Sequence, residues 1–336
     1  MAGLFLGQAM LIGYHASHEQ FSPSQLLEYV QAAEGAGFQA VMTSDHLSPW
    51  SARQGNSGNN WAWLGAVMAK TTVPFGSLAI PGSWRYHPVV LAHLIATLSE
   101  MFPDRLRWIA MGSGEALNET AVGRGWPKKA ERNLRTEAGA EMIRRLLTGD
   151  VLNCDQPDLR ARDARLWTLP EKPPALFGAA LTSETARWLG TWADGLLTVR
   201  KPREELKPLV EAFRAGGGKD KPLALQLQVS WARTVDEARH AAWDQWRNAT
   251  VQPDLLAELR TPEEFDEATL NVKPGDIDDV IPLVTQGRHL LDLINECAGC
   301  GFDEVYVHSV GRDQNGFINF MRDEVLPKTA LFHQRS

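Results

Sequence analysis

The chain has 336 residues, 44% hydrophobic and 22% charged, with 34 basic against 41 acidic side chains for a net charge of −7. Those values fit a soluble globular protein with a sizeable core, and they exclude a fibre, a disordered tail or a membrane bundle. A β/α barrel needs about 250 residues, so the length admits one large domain with insertions or two smaller ones. Twelve tryptophans against four tyrosines point to flat packing surfaces and to a flat ligand.

No basic footprint for nucleic acid is visible, and no run of 18 apolar residues predicts a membrane span. The apolar opening Met1–Met10 lacks the basic leader of a secretory signal, so no signal peptide is expected, and residues 1–9 read as an extension ahead of the first strand. Three cysteines, Cys154, Cys297 and Cys300, argue for a reducing, cytoplasmic setting without a disulfide framework. Cys297-Ala-Gly-Cys300 falls at a predicted helix end with no second ligand pair, so it reads as structural and no metal is expected.

Short β-like runs are predicted at 10–13, 40–43, 73–79, 106–111, 175–179, 195–199, 223–229 and 304–308. Helical patterns fill the gaps at 22–34, 61–70, 88–101, 131–147, 183–192, 203–215, 235–246 and 288–300. The first helix has the clearest start. Ser22 caps it, Pro23 takes the first turn and Gln25 completes a capping box, while Gly35 and Gly37 end it. Eight such units with right-handed crossovers close into a parallel TM-free α/β barrel, the (β/α)8 TIM fold, with a doubly wound open sheet as the alternative. Two stretches break the alternation. Residues 150–174 read as a hairpin or loop insertion, and 248–286 as a longer excursion whose acidic part, 253–279, forms a solvated face or a cover. With no low-complexity linker, residues 1–336 are expected to be a single domain.

In such a barrel the chemistry sits where strands end. The strand ends supply His15, Ser17, His18 and Glu19; Asp45, His46 and Trp50; Glu115, Asn118 and Glu119; and, further on, Lys201 and His308. Asp45-His46 offers a proton carrier beside a carboxylate, with Trp50 as a stacking wall. Glu115, in Gly112-Ser-Gly-Glu, either begins a helix or faces a ligand close to glycine backbone. Dinucleotide, P-loop and nucleophile-elbow patterns are absent.

The segments Ile12-Gly-Tyr-His-Ala-Ser-His-Glu19-Gln-Phe, Ser44-Asp-His-Leu-Ser-Pro-Trp50, Arg85-Tyr-His-Pro88 and Gly112-Ser-Gly-Glu-Ala-Leu-Asn-Glu119 resemble the bacterial-luciferase-like superfamily. The resemblance runs from about residue 11 to 325 and is nearest the branch containing deazaflavin-dependent glucose-6-phosphate dehydrogenase. It implies hydride transfer between a flavin or deazaflavin ring and a small organic substrate. It further implies His46 as base, Glu115 as proton donor, and Trp50 and Glu19 lining the reacting centre. Expected cofactor contacts are Asp45, Ser113, Asn118, a non-proline cis bond at Leu78-Ala79, and phosphate-binding amides at Gly178, Ala179, Ala180 and Leu181. Ala180-Leu181 replaces the branch's Gly-Gly. Lys201 matches one sugar-phosphate ligand and Arg260 stands in for a second. The position of the third, at 280–283, is not basic, so glucose 6-phosphate is not the expected substrate. A sister group with the same Gly-Tyr-His-Ala-Ser-His-Glu-Gln-Phe wording uses ordinary flavin, and FMN is preferred over coenzyme F420, whose oligoglutamate tail finds only Lys128, Lys129 and Arg132 as a basic landing zone. A reduced-FMN monooxygenase and a non-catalytic flavin-binding barrel are the alternatives. A homodimer is expected from the resemblance.

Overall fold

Leu11–Ala16, the first strand (β1), lies between two parallel neighbours and begins a closed ring in a computed structural model that describes residues 10–329. The expectations for residues 1–9 lie outside the described residues. Along the chain follow α1 (Pro23–Ala36), β2 (Ala40–Thr43), α2 (Asn60–Met68), β3 (Phe75–Ala79), α3 (Pro88–Met101) and β4 (Leu106–Met111). Then come α4 (Ala116–Glu119), α5 (Lys129–Leu147), the antiparallel hairpin β5 (Leu152–Cys154) and β6 (Ala161–Ala164), β7 (Ala175–Ala179), α6 (Ser183–Gly190), β8 (Gly195–Val199) and α7 (Arg203–Phe213). The last part holds β9 (Leu223–Trp231), α8 (Val235–Trp246), α9 (Pro253–Leu256), α10 (Pro262–Ala268), β10 (Leu283–Val284), α11 (Gly287–Gly299), β11 (Glu304–Ser309), α12 (Gln314–Phe320) and α13 (Leu326–Thr329).

Strands pair in the order β9-β11-β1-β2-β3-β4-β7-β8, and β8 pairs back to β9, which closes an eight-stranded parallel barrel. The two-residue β10 lies beside the end of β9, outside the ring. The open-sheet alternative is thereby eliminated. The expected capping box at Ser22 and Gln25 is formed, and Gly37 ends α1 at φ 100°, in the left-handed region that glycine tolerates. The hairpin expected within 150–174 is β5–β6. Cys297 is buried in α11 and Cys300 caps it. Burial pushes the Cys297 thiol up to about 12, which keeps it protonated. Among the described residues no helix is long and apolar enough to cross a membrane.

Alternation along the strands sorts side chains into two sets. One set, including Ile12, Tyr14, Val41, Ile109, Leu176, Leu196, Leu225 and Val305, meets the helix ring. The other fills the barrel, where Met42, Trp108, Phe177, Leu197 and Tyr306 form an apolar plug. Trp108 stacks on Phe177 with centroids 5.3 Å apart and meets Tyr306 edge-on at 5.6 Å. Glycines opposite these rings provide the space. A Cβ on Gly76 would lie 2.2 Å from the Trp108 ring, and one on Gly13 would lie 2.2 Å from Tyr306. Above the plug the interior turns polar, with His15, Gln226 and His308 at the next inward positions.

This plug makes a direct prediction. Gly76→Ala has no compliant neighbour, because Trp108 is already held by Phe177 and Tyr306, so overpacking is expected to cost about 1–3 kcal/mol. Urea unfolding of the variant measures it, and an unchanged midpoint would contradict the tight plug.

Candidate active site

The β2–α2 loop carries Asp45, His46 and Trp50 over the C-terminal rim, and the segment after β4 brings Glu115, Asn118 and Glu119 beside it. His46 stands between two carboxylates. Its Nδ1 lies 3.1 Å from Glu19 Oε1, close enough for charge pairing but without hydrogen-bond alignment. Its Nε2 lies 3.7 Å from Glu115 Oε2. Trp50 meets the imidazole edge-on at 4.9 Å and packs in turn on Phe265 of α10 at 5.3 Å. The sequence reading joins Glu19, His46, Trp50 and Glu115, and the fold brings all four together.

Glu19 is buried and accepts hydrogen bonds from Ser17 Oγ (2.8 Å) and Ser44 Oγ (2.7 Å). Burial alone would raise its carboxyl, but the facing His46, the Ser44 hydroxyl and His15 outweigh that and hold it at about 2. Glu19 is therefore a fixed negative charge beneath the imidazole. Glu115 is 30% exposed and N-caps α4 without a capping bond, leaving its carboxylate to the site. Asn118 sets that arrangement. Its Oδ1 accepts from the N–H groups of Leu47 and Ser48 (2.9 and 3.2 Å), and its Nδ2 donates to Glu115 Oε2 (3.2 Å). Asn118 therefore ties the Leu47–Ser48 backbone to Glu115 and still has one of its two Nδ2 N–H groups uncommitted.

Asp45 departs from the expected Asp–His couple. Its carboxylate turns to Arg85, with Arg85 Nη2 3.5 Å from Oδ2, and Arg85 Nη2 donates to the Asp45 carbonyl at 2.6 Å. Successive side chains on an extended segment diverge, so the carboxylates at His46 come from other loops. Arg85 also donates through Nε to Glu119 Oε1 at 3.0 Å, while the Arg85 N–H donates to Oε2 at 3.2 Å. Burial keeps Asp45 and Glu119 above the usual carboxylate range despite the guanidinium, and burial's opposing effect on Arg85 is outweighed by its two carboxylates, which raise it. Asp45 Oδ2 remains buried without a hydrogen-bond partner. Arg85 is the site residue to which the sequence reading gives no role beyond its quoted Arg85-Tyr-His-Pro88 segment, and the pairing of Glu119 with it is visible only in the fold.

Behind Glu19 lies a set of buried imidazoles. His15 and His308 are 4.4 Å apart, and Trp246 covers His308 edge-on at 4.6 Å. His308 Nε2 pairs with Gln20 Oε1 at 3.1 Å and Nδ1 with Gln226 Nε2 at 3.2 Å. His18 meets Trp63 edge-on at 4.8 Å and has no partner on either ring nitrogen. Burial lowers His15 and His18 to about 4 and His308 further, against the pull of Glu19 on the first two. These rings are neutral at pH 7.

The remaining expectations fare unevenly. No cis peptide occurs among the described residues, so the bond expected at Leu78-Ala79 is trans; the strand runs straight to Ala79, with Leu78 turned into the barrel. Gly178 is needed for packing, since a Cβ there would lie 2.4 Å from Leu189. The Ala180 N–H donates to the Leu197 carbonyl at 3.0 Å and is unavailable to a phosphate, whereas the Leu181 N–H next to the start of α6 has no acceptor among the described residues. Ala179 and Ser113 lie half-buried on the rim. Lys201 sits 3.5 Å from Glu205, and the Arg260 side chain is exposed with no carboxylate partner among the described residues. Of the three residues expected to receive an anionic tail, Arg132 is buried against Trp126 and paired with Glu258 at 3.0 Å, while Lys128 and Lys129 are exposed. Trp84 is buried against Trp126.

Ionisable groups gathered over one end of a closed (β/α)8 barrel, with the other end plugged, define an enzyme of the barrel class. A family model described as luciferase-like monooxygenase matches residues 6–303. An F420-dependent glucose-6-phosphate dehydrogenase of Nakamurella multipartita is 31% identical over 94% of this chain and 95% of its own length. One of the same name from Segniliparus rotundus is 29% identical, over 94% of this chain and 97% of its own length. A solved F420-dependent secondary alcohol dehydrogenase, in complex with an F420-acetone adduct, superposes with a TM-score of 0.89 at 26% identity, over 96% of this chain and 99% of that one. The chain belongs to the luciferase-like monooxygenase family and is an oxidoreductase of that class.

Two predictions arise from the buried charges. Arg85→Met strands two buried carboxylates and is expected to cost about 3–5 kcal/mol near pH 7.5. Carboxyls raised in the folded state bind protons more readily there than in the unfolded chain, so the deficit should shrink at pH 5; a deficit independent of pH would count against the assignment. The neutral imidazoles act on wild-type stability. Unfolded, they take protons near 6.5, but in the fold only near 4, so stability is full above 6.5 and falls as pH drops towards 4. His18→Leu should flatten that slope in urea titrations, and an unaltered slope would remove His18 from this role.

Proposed function

We propose that this protein is an F420-dependent dehydrogenase that oxidises an uncharged secondary alcohol, with His46 as the base. The observation that carries this reading is the imidazole held between an ionised, buried Glu19 and a partly exposed Glu115. The residues present fit a deazaflavin. Asp45 Oδ2 is a buried acceptor ion-paired with Arg85 but without a hydrogen bond among the described residues, the Leu181 N–H is a free donor at the rim, and Ala79, Ser113 and Ala179 are small enough to admit a flat ring. Asp45, Leu78, Ala79, Ser113, Ala179 and Leu181 would hold it. When bound, the 5-deazaflavin supplies the hydride-accepting ring. F420 takes the place of the FMN preference because the relatives named above are F420 enzymes.

His46 Nε2 takes the hydroxyl proton, and the Glu19 carboxylate 3.1 Å from Nδ1 stabilises the imidazolium that forms. Glu115 reaches both Nε2 and solvent, so it can carry a proton between the site and water. The edge of Trp50, backed by Phe265, shields the imidazole from water. Substrate charge is limited by the same structure. Lys201 is engaged by Glu205, Arg260 points to solvent, and apart from the Glu19 anion the polar interior is made of neutral imidazoles and amides that suit a hydroxyl or carbonyl. A cytoplasmic homodimer completes the reading.

Fluorescence titration tests the cofactor: F420 should bind at micromolar levels and FMN more weakly, and the reverse order would restore the FMN reading. In the presence of F420 and a secondary alcohol, His46→Ala should lower kcat by roughly 10²–10⁴-fold while F420 affinity changes little. Retained turnover would remove His46 as base.

A further inference from the structure

Two amides near the reacting centre have no partner for their side chains, and both border the covered imidazole of His308. The first is Gln228. Across the sheet it pairs with His308, whose ring lies 4.4 Å from His15, so β9, β11 and β1 contribute one inward row. His308 is engaged by Gln20 and Gln226 and covered by Trp246. Gln228 is half-buried and makes no side-chain hydrogen bond among the described residues. The second amide is Asn248, two residues beyond Trp246, in the 3-10 turn where α8 passes into the excursion. It is 5% exposed and its Oδ1 is buried without a partner. The residue after it, Ala249, packs in the same apolar cluster as Trp246 and Trp50, and Trp50 meets His46.

The surrounding amides behave differently. Gln20, Gln54, Asn60, Asn118, Gln226 and Gln245 each hold at least one side-chain hydrogen bond within the protein. A buried amide oxygen that gives up water and gains no partner is destabilising, and native folds keep such a group where a ligand or water satisfies it. Asn248 stands beside an apolar cluster that a leucine would suit better, so packing does not account for the choice of residue. The chemistry of the pair defines what it can take. An amide donates and accepts, as a hydroxyl does, and neither residue brings a positive charge for a phosphate or carboxylate. The nearby His15 is neutral at pH 7 and adds none.

We propose that Gln228 and Asn248 bind a second hydroxyl of the substrate, so that the alcohol oxidised at His46 is a diol or polyol. The proposal rests on the alcohol dehydrogenase reading above and adds the part of the substrate that does not react. Selectivity follows from the unmet amides: an alcohol lacking the second hydroxyl leaves them unpaired in the complex. A fully enclosed site of this kind discriminates by about 10⁴–10⁵. Gln228 is partly open to solvent, so the preference here should be roughly 10–100-fold in kcat/KM.

The test compares, with F420 and the full-length protein, butanediol, pentanediol and hexanediol carrying two secondary hydroxyls on adjacent or successively more distant carbons. Each is measured against the secondary alcohol of the same chain length. At least one diol should show the preference, and in Gln228→Leu and in Asn248→Leu the ratio of kcat/KM between that diol and its partner should fall towards one. F420 affinity, read by fluorescence, reports whether each variant is folded. Asn248→Leu breaks no protein hydrogen bond, so its urea midpoint should not fall; a lower midpoint would make the residue structural and overturn its assignment. No diol preference in the wild type overturns the proposal whatever the variants do, and so does a preference that survives in both. If F420 binds and no alcohol of either kind is oxidised, the dehydrogenase reading itself fails and takes this proposal with it.

Discussion

Arg85 is the cation on which the rim is built. Its guanidinium reaches the carboxylate and carbonyl of Asp45 on the β2–α2 loop, and the carboxylate of Glu119 on the segment after β4. His46 follows Asp45 directly, and Glu115 stands one helical turn before Glu119. A single buried side chain thus fixes the separation of the two loops that carry the imidazole and its second carboxylate. The loop delivering Arg85 is itself constrained: Ser83 takes φ 65°, an uncommon left-handed conformation for a residue other than glycine. Burial opposes every ion in this triad, so its energetic return is small beside its geometric one. What it provides is a defined distance across the rim, completed by the amide of Asn118.

The barrel interior then grades the environment of that rim. At the bottom, Trp108, Phe177 and Tyr306 exclude water, and the Trp108 and Tyr306 polar tips are both satisfied by Glu304. Higher up, buried His15 and His308 and half-buried Gln226 are neutral, so they supply dipoles without a competing charge. Glu19 is the fixed anion among them, stabilised by two serine hydroxyls and the facing imidazole. In a medium of low polarity one such charge attracts a cation formed above it far more strongly than it could in water.

Local chemistry made much of this legible from sequence. Apolar runs, the Ser22–Gln25 capping box and the Gly37 stop define β1, α1 and β2 without tertiary information, and strand-end position was enough to gather Glu19, His46, Trp50 and Glu115. The parts that could not be read depend on direction and distance. Adjacent positions 45 and 46 look like a couple, yet the chain points them apart, and Asp45 finds Arg85 forty residues away. The bridge that Asn118 makes between the Leu47 N–H and Glu115 depends on two loops meeting and leaves no trace in its own segment. Trp246 reads as helix packing by its spacing, but the crossover after β9 lays it on His308. A basic run at 128–132 gives no hint that Arg132 turns inward while its neighbours stay outside.

The excursion between α8 and α11 shows how an insertion with an acidic, solvent-facing composition can serve the site. Its outer face is charged, but Phe265 is fully buried and supports Trp50, while Asp266 accepts from Ser51 Oγ at 2.6 Å and pairs with Arg53 at 2.8 Å. At its other edge the Ala257 carbonyl accepts from the Ala116 N–H at 3.0 Å, and Glu258 holds Arg132. The excursion therefore grips both loops that Arg85 joins, from the opposite side. Its ion pairs with Arg53 and Arg132 are only partly buried and individually weak, whereas the Phe265 ring is an apolar anchor worth more than either. Such a cover is held at one greasy point and trimmed by charges, so it can keep Trp50 against His46 while its outer surface remains soluble.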